Sequence, residues 1–86
     1  MKQLILDFKD FENRREVHEY IARKLEFPDY YGHNLDALFD VLSVYPEELS
    51  VYLFFAGKSF EEGFLAVFTD LSRENPRIRL FETRLP

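Results

Sequence analysis

Phe27-Pro28-Asp29-Tyr30-Tyr31-Gly32-His33-Asn34-Leu35-Asp36-Ala37-Leu38-Phe39-Asp40-Val41-Leu42 ends one helix, crosses a loop and opens another within sixteen residues. Pro28 disfavours helical angles at the residue before it, so whatever helix reaches Phe27 stops there. Gly32 gives the loop backbone angles closed to other residues, and Asn34 has the short polar side chain of a helix N-cap. The spacing then predicts a second helix over 35–44. Leu35, Leu38 and Leu42 fall on its core side, while Asp36, Asp40 and Ser43 share another side with Phe39 on the border.

Upstream, Asn13 and Glu16 have the form of a capping box, and Val17, Tyr20, Ile21 and Leu25 recur at three- and four-residue spacing. A helix over 14–26 is expected. Before it, Leu4-Ile5-Leu6 with Phe8 is an apolar run without a breaker and predicts a strand buried on both faces. Downstream, Tyr45-Pro46-Glu47-Glu48 reads as a turn, and 49–55 is dense in Val, Tyr, Leu and Phe, as the most buried strand would be. Ala56-Gly57 ends it. Ser59 with Glu62 forms a second capping box ahead of a stripe of Phe60, Phe64, Val67, Phe68 and Leu71, which stops at Asn75-Pro76. Asp70 lies off that stripe and is expected to face water. Arg77-Ile78-Arg79-Leu80 alternates like a half-covered strand near a sheet edge. Strand, two helices, strand, helix, strand predicts an α/β fold: one small domain over 1–86, with a three-stranded, mostly parallel sheet packed with three to four helices.

The chain has 86 residues, ten of them Phe and five Tyr, enough large apolar side chains for a core without a covalent staple. It has no cysteine, which fits a reducing compartment and removes a thiol nucleophile. Its apolar runs are far shorter than a membrane span, and the amino terminus lacks the charged and then hydrophobic pattern of a signal region, so a soluble, cytoplasmic protein is expected. The charge is sorted. Residues 25–57 hold Glu26, Asp29, Asp36, Asp40, Glu47 and Glu48 with no Lys or Arg, and the remaining ten acids and eleven bases leave the formal net charge at −5. An anionic face of that kind attracts a basic protein and repels phosphate backbones, which disfavours DNA or RNA as a direct partner. Nothing in the chain resembles a nucleophile elbow, a glycine-rich phosphate loop or a histidine cluster, so an enzyme is not expected. Four-residue spacing of Asp36 and Asp40 is weak grounds for a metal site, and no metal or cofactor is expected.

Over the same sixteen residues the proline stop, paired tyrosine, glycine turn, asparagine cap and Leu-Asp-Ala-Leu-aromatic-Asp pattern resemble the core motif of the barstar family, the intracellular inhibitors of secreted bacterial ribonucleases. The predicted order of elements is similar over nearly the whole chain. The resemblance implies an inhibitor or immunity protein of the toxin–antitoxin kind, which plugs the active site of a basic ribonuclease as a monomer in a one-to-one complex. On that likeness Asp40 enters the site where substrate phosphate would lie, and Asp36 is a second acidic contact. Tyr30, Gly32 and Asn34 shape the covering loop, with Tyr30 outside, and position 39 carries an aromatic that packs on the nuclease. Asp70 falls near a further family acid.

His33 and Ser43 flank these positions. The sequence departs from the family pattern at three positions of the motif: Phe39 replaces a tryptophan, His33 stands where an acid is common, and Val41 replaces a cysteine. The segment between the second strand and the last helix is shorter, so the family's extra helix there is expected to be reduced or absent, and the resemblance gives no ground for assuming a cis bond at Pro46. Flanking the acids, a protonated His33 would weaken binding to a basic partner. His18, beside the apolar stripe of the first helix, reads as a hydrogen-bonded structural histidine. The alternative function is a module of the same fold that binds a different basic protein without inhibiting a nuclease.

Overall fold

The first helix begins where its capping residues direct. Asn13 Oδ1 accepts from the Glu16 N–H at 3.0 Å, and the Glu16 carboxylate reaches back to the Glu12 N–H at 2.8 Å. In the computed structural model, which describes residues 2–83, the elements are β1 (Lys2–Asp7), a single 3-10 turn (Phe8–Asp10), α1 (Arg14–Leu25), α2 (Leu35–Ser43), β2 (Leu49–Phe54), α3 (Glu61–Glu74) and β3 (Ile78–Thr83). The strands lie in the order β1-β2-β3, all parallel, with Leu4 beside Val51 and Val51 beside Leu80. The α/β architecture is the one the sequence predicts, and β2 in the centre is its most buried strand.

One expectation about the sheet fails. Leu4 and Leu6 are fully buried but Ile5 between them is 47% exposed, so β1 is covered on one face. The register puts Ile5, Tyr52 and Phe81 in one row of the other face, where the Tyr52 and Phe81 rings stack at 4.9 Å. Parallel sheets are ordinarily covered on both sides. Here the buried apolar side chains of all three strands come from the face that also meets α1 and α3, and on the other face only Ser50 of the central strand is buried among the described residues. Phe8 leaves the strand for the 3-10 turn and becomes the hub of an aromatic cluster, with the rings of Phe11, Phe55, Phe60 and Phe64 at 6.0–6.4 Å.

The link from β2 to α3 contains no helix, and its order comes from one carboxylate. Phe60 is the N-cap of α3 without a side-chain cap bond, so the Ser59–Glu62 box does not form. Instead Glu61, only 5% exposed, accepts from the backbone N–H groups of Ala56 (2.8 Å), Gly57 (3.2 Å) and Lys58 (3.0 Å). Local donors left by the chain's turn outcompete the box because a carboxylate satisfies three of them at once. Glu61→Ala should therefore cost about 2 kcal/mol and lower Tm by ~10 °C in calorimetry, with Glu61→Gln between the two; an unchanged Tm would assign the order of this link to the aromatic cluster alone.

α2 lies against α3. A Cβ at Gly63 would come within 2.7 Å of Leu35 Cδ1, so the missing side chain on α3 is what lets the first residue of α2 approach. Lys2 bridges toward Glu26 at 3.8 Å and Glu47 at 4.0 Å, which partly balances two of the six acids of the 25–57 block. Among the described residues no helix is long and apolar enough to cross a membrane, and all peptide bonds are trans.

Candidate functional site

α1 ends with Glu26 in the left-handed region (φ 57°) as its C-cap, and the chain turns through Phe27-Pro28 into the loop. The paired tyrosines divide. Tyr31 is 5% exposed and packs its ring edge-on to Phe27, while Tyr30 is 87% exposed. Tyr31 is anchored twice: its hydroxyl lies 2.6 Å from Nδ1 of the fully buried His18 on α1, and its carbonyl accepts from His33 Nδ1 at 2.9 Å. Burial lifts the Tyr31 phenol well above its ordinary pKa, so the hydroxyl keeps its proton.

The left-handed residue of the loop is His33 (φ 53°), and Gly32 is not in that region, contrary to the expectation from sequence. The ring of His33 lies 5.0 Å from that of Tyr31, and its bond to the Tyr31 carbonyl two residues back offsets the strain of that conformation. Gly32 matters for space: a Cβ there would meet Asn34 Nδ2 at 3.0 Å and Ala37 Cβ at 3.5 Å. That close approach lets Asn34 cap α2, with Oδ1 accepting from the Ala37 N–H at 2.8 Å and Nδ2 donating to the Gly32 carbonyl at 3.2 Å.

Leu38 and Leu42 are buried on α2, and Leu35 and Phe39 are partly buried against the core, so Phe39 packs inward and stays partly accessible. Asp36 and Asp40 are exposed one turn apart, about 6 Å along the axis. Among the described residues neither belongs to an ion pair. Arg14 shares a shallow cavity with His33, Asn34 and Asp36 yet stays outside ion-pair distance of the carboxylate. Ser43 donates its hydroxyl to the Asp40 carbonyl at 3.0 Å. Val44, the C-cap, is 78% exposed, so apolar side chains bracket the two acids, Tyr30 ahead of them and Val44 behind.

Tyr30, Gly32, His33, Asn34, Asp36, Phe39, Asp40 and Ser43 thus come from one continuous loop and helix. Asp70 does not. It is exposed on α3 and has its own counter-ion, Arg73, at 3.7 Å one turn away. Two residues that support this surface carried weaker signals in the sequence. His18 was readable as a bonded histidine, but not its partner thirteen residues on. Asn75, which read only as a helix stop before Pro76, turns its amide onto the end of α2. Among the described residues there is no group of three or more His, Cys, Asp or Glu placed to hold a metal ion.

The sequence profile of a family described as Barstar (barnase inhibitor) matches residues 1–79. A Bacillus subtilis (strain 168) protein named "Putative ribonuclease inhibitor YrdF" is 41% identical over 70 residues, which cover 81% of this chain and 76% of that protein.

Proposed function

This chain belongs to the barstar family, and from that membership we propose that it is a ribonuclease inhibitor which blocks its target's active site with the acidic loop and helix of residues 29–43. In this reading Asp40 takes the place of a substrate phosphate among the basic residues of the ribonuclease, and Asp36 supplies a second charge one turn earlier. Tyr30 lays an exposed ring over the rim of the cleft, and the accessible part of Phe39 packs beside Asp40. Gly32 and Asn34 hold the loop in the shape that covers the cleft, with His33 and Ser43 at its borders. Asp70 contributes a long-range charge from α3, reduced by Arg73.

The observation that carries the reading is the pair of exposed carboxylates on one flank of a short capped helix, with no counter-ion of their own among the described residues and exposed apolar side chains on either side. Unpaired and exposed in the free protein, Asp36 and Asp40 exchange water for guanidinium or ammonium donors, and such charge-assisted bonds are among the stronger ones in a water-poor interface. The same field speeds the approach of a basic protein and keeps RNA away. The partner is a basic secreted or toxin ribonuclease, held in a one-to-one complex with a monomeric inhibitor, and the inhibitor acts in the cytoplasm of the cell that makes the nuclease.

The test is a titration of RNA cleavage by barnase, and by the secreted ribonucleases of the producing organism, with the purified protein. Stoichiometric loss of activity for at least one of them is expected. If all stay fully active at tenfold excess of the protein, the reading is overturned, and capture of another basic protein by the same surface would replace it with the non-inhibitory module.

A further inference from the structure

α2 is poorly equipped to keep its last turn. It has nine residues, no basic side chain in its last turn, and at its end Val44 with φ −113° in place of a left-handed glycine. Isolated helices of that length do not persist in water, and a carboxylate in the last turn, where Asp40 lies, opposes the helix dipole. The carbonyls that end such a helix need donors from elsewhere.

The turn itself brings the Tyr45 N–H to the Leu42 carbonyl at 3.2 Å, and two side chains add to it, of which one is the Ser43 hydroxyl on the Asp40 carbonyl. The other comes from α3. Asn75, 4% exposed at the C-terminus of α3, donates its side-chain amide to the carbonyls of Leu42 at 3.0 Å and Tyr45 at 3.2 Å, and its Oδ1 accepts from the Arg77 N–H at 3.0 Å. Two acceptors and one donor fix which way the amide points. Its backbone is held as firmly, with its N–H on the Leu71 carbonyl and its own carbonyl accepting from the Ile78 N–H, both at 2.9 Å. The side chain therefore extends from the rigid corner between α3 and β3 into the turn that follows α2.

We infer that Asn75 is a positioning residue for the inhibitory face: it clamps the C-terminal end of α2 and so holds Asp40 where a partner meets it. This rests on the reading of α2 as the face that enters the ribonuclease. The clamp acts on the last turn of the helix, to which Asp40 belongs, and not on the loop, which His18 and Asn34 hold separately. Without it the last turn frays and part of the binding energy goes into ordering it. Asn75 touches no partner in this account; it acts through Asp40.

Asn75→Ser is the variant to make, because its hydroxyl can still accept from Arg77 N–H while being too short to reach α2. In the free protein, hydrogen exchange of the Leu42, Ser43, Val44 and Tyr45 amides should quicken about tenfold, with α1 amides unchanged. Affinity for barnase should fall about tenfold, chiefly through faster dissociation, and in an Asp40→Ala background the same change should alter Kd by less than about threefold. Equal losses in both backgrounds, or unaltered exchange at the end of α2, would overturn the inference. If the unmodified protein does not bind barnase, the proposed face fails on that probe, and the exchange measurement still decides whether Asn75 clamps α2.

Discussion

Asp40→Ala is expected to lower affinity for the proposed ribonuclease partner by about 30-fold to several-thousand-fold and to leave the fold as stable as before or slightly more so. The first half follows from what truncation does at an interface. A carboxylate that loses its place in a buried, hydrogen-bonded charge pair leaves the facing cations desolvated and unpaired, at a cost of about 2–5 kcal/mol, a range that rests in part on the family's namesake complex and is borrowed from it. The second half follows from this chain. Asp40 is exposed, belongs to no ion pair among the described residues, and lies in the last turn of α2, where its charge opposes the helix dipole. Alanine is also the better helix former, so the free protein gains a few tenths of a kcal/mol. Opposite signs on binding and stability are the signature of a residue kept for a partner. Kd by calorimetry together with Tm by scanning calorimetry reads both, and an Asp40→Ala protein that binds as tightly as the original would remove Asp40 from the mechanism. Asp36→Ala is the useful contrast. Asp36 lies in the first turn, where the dipole favours its charge, so its loss costs some stability along with affinity.

What could be read from the chain was local. The stripe of α1, the leucines of α2, the Asn13 and Asn34 caps and the stripe of α3 are set by neighbours within four residues, and the structure has them where the spacing puts them. The errors concern groups whose partners lie farther off or that compete for one partner. Leu4-Ile5-Leu6 looks the same whether a sheet is covered on one face or two; the difference lies in where the helices go, and here the row of Ile5, Tyr52 and Phe81 stays open. The second capping box failed because Glu61, one residue earlier than the expected acid, reaches three backbone donors at once.

Within the candidate site the same division holds. Which residues share the loop and helix follows from periodicity and from the Asn34 cap. That His33 takes the left-handed angle, while Gly32 makes room for Asn34 and Ala37, does not, since a glycine next to a histidine carries the same sequence signal in either role. The clamp from Asn75 crosses more than thirty residues to Leu42 and has no periodicity to announce it.

Folding stability should fall by roughly 3 kcal/mol as pH drops from 6.5 to about 4, and His18 should account for that loss. The ring is fully buried on α1 against Tyr31 and Phe64, with ring centres at 5.8 and 4.9 Å. Burial, with the charges of His33 and Arg14 adding to it, pulls its pKa from 6.5 down to about 4. In the unfolded chain the imidazole takes up a proton below about pH 6.5, whereas the folded chain resists until about pH 4. The unfolded state therefore binds more protons throughout that window. Stability is complete above pH 6.5, declines as pH falls and has lost the whole contribution below about pH 4, at roughly 1.4 kcal/mol per pH unit across the interval.

The neutral ring keeps its bond to the Tyr31 hydroxyl in either tautomer, since a hydroxyl both donates and accepts. Nε2 has no partner among the described residues, and a second proton would leave a charged donor buried there. His18→Asn can place its amide near the position of Nδ1 and hold Tyr31 without titrating. It should be less stable than the original at pH 8 but flatter toward pH 4.5, so the difference between the two denaturation curves isolates the histidine from the carboxylates, which titrate in both. Parallel curves from pH 8 to pH 4 would show that His18 is not the group that couples folding to protons. Tyr31 also carries the loop through its carbonyl to His33, and because the folded ring stays neutral down to about pH 4, this anchor of the loop should hold across the window and loosen only where His18 itself takes up a proton in the folded protein.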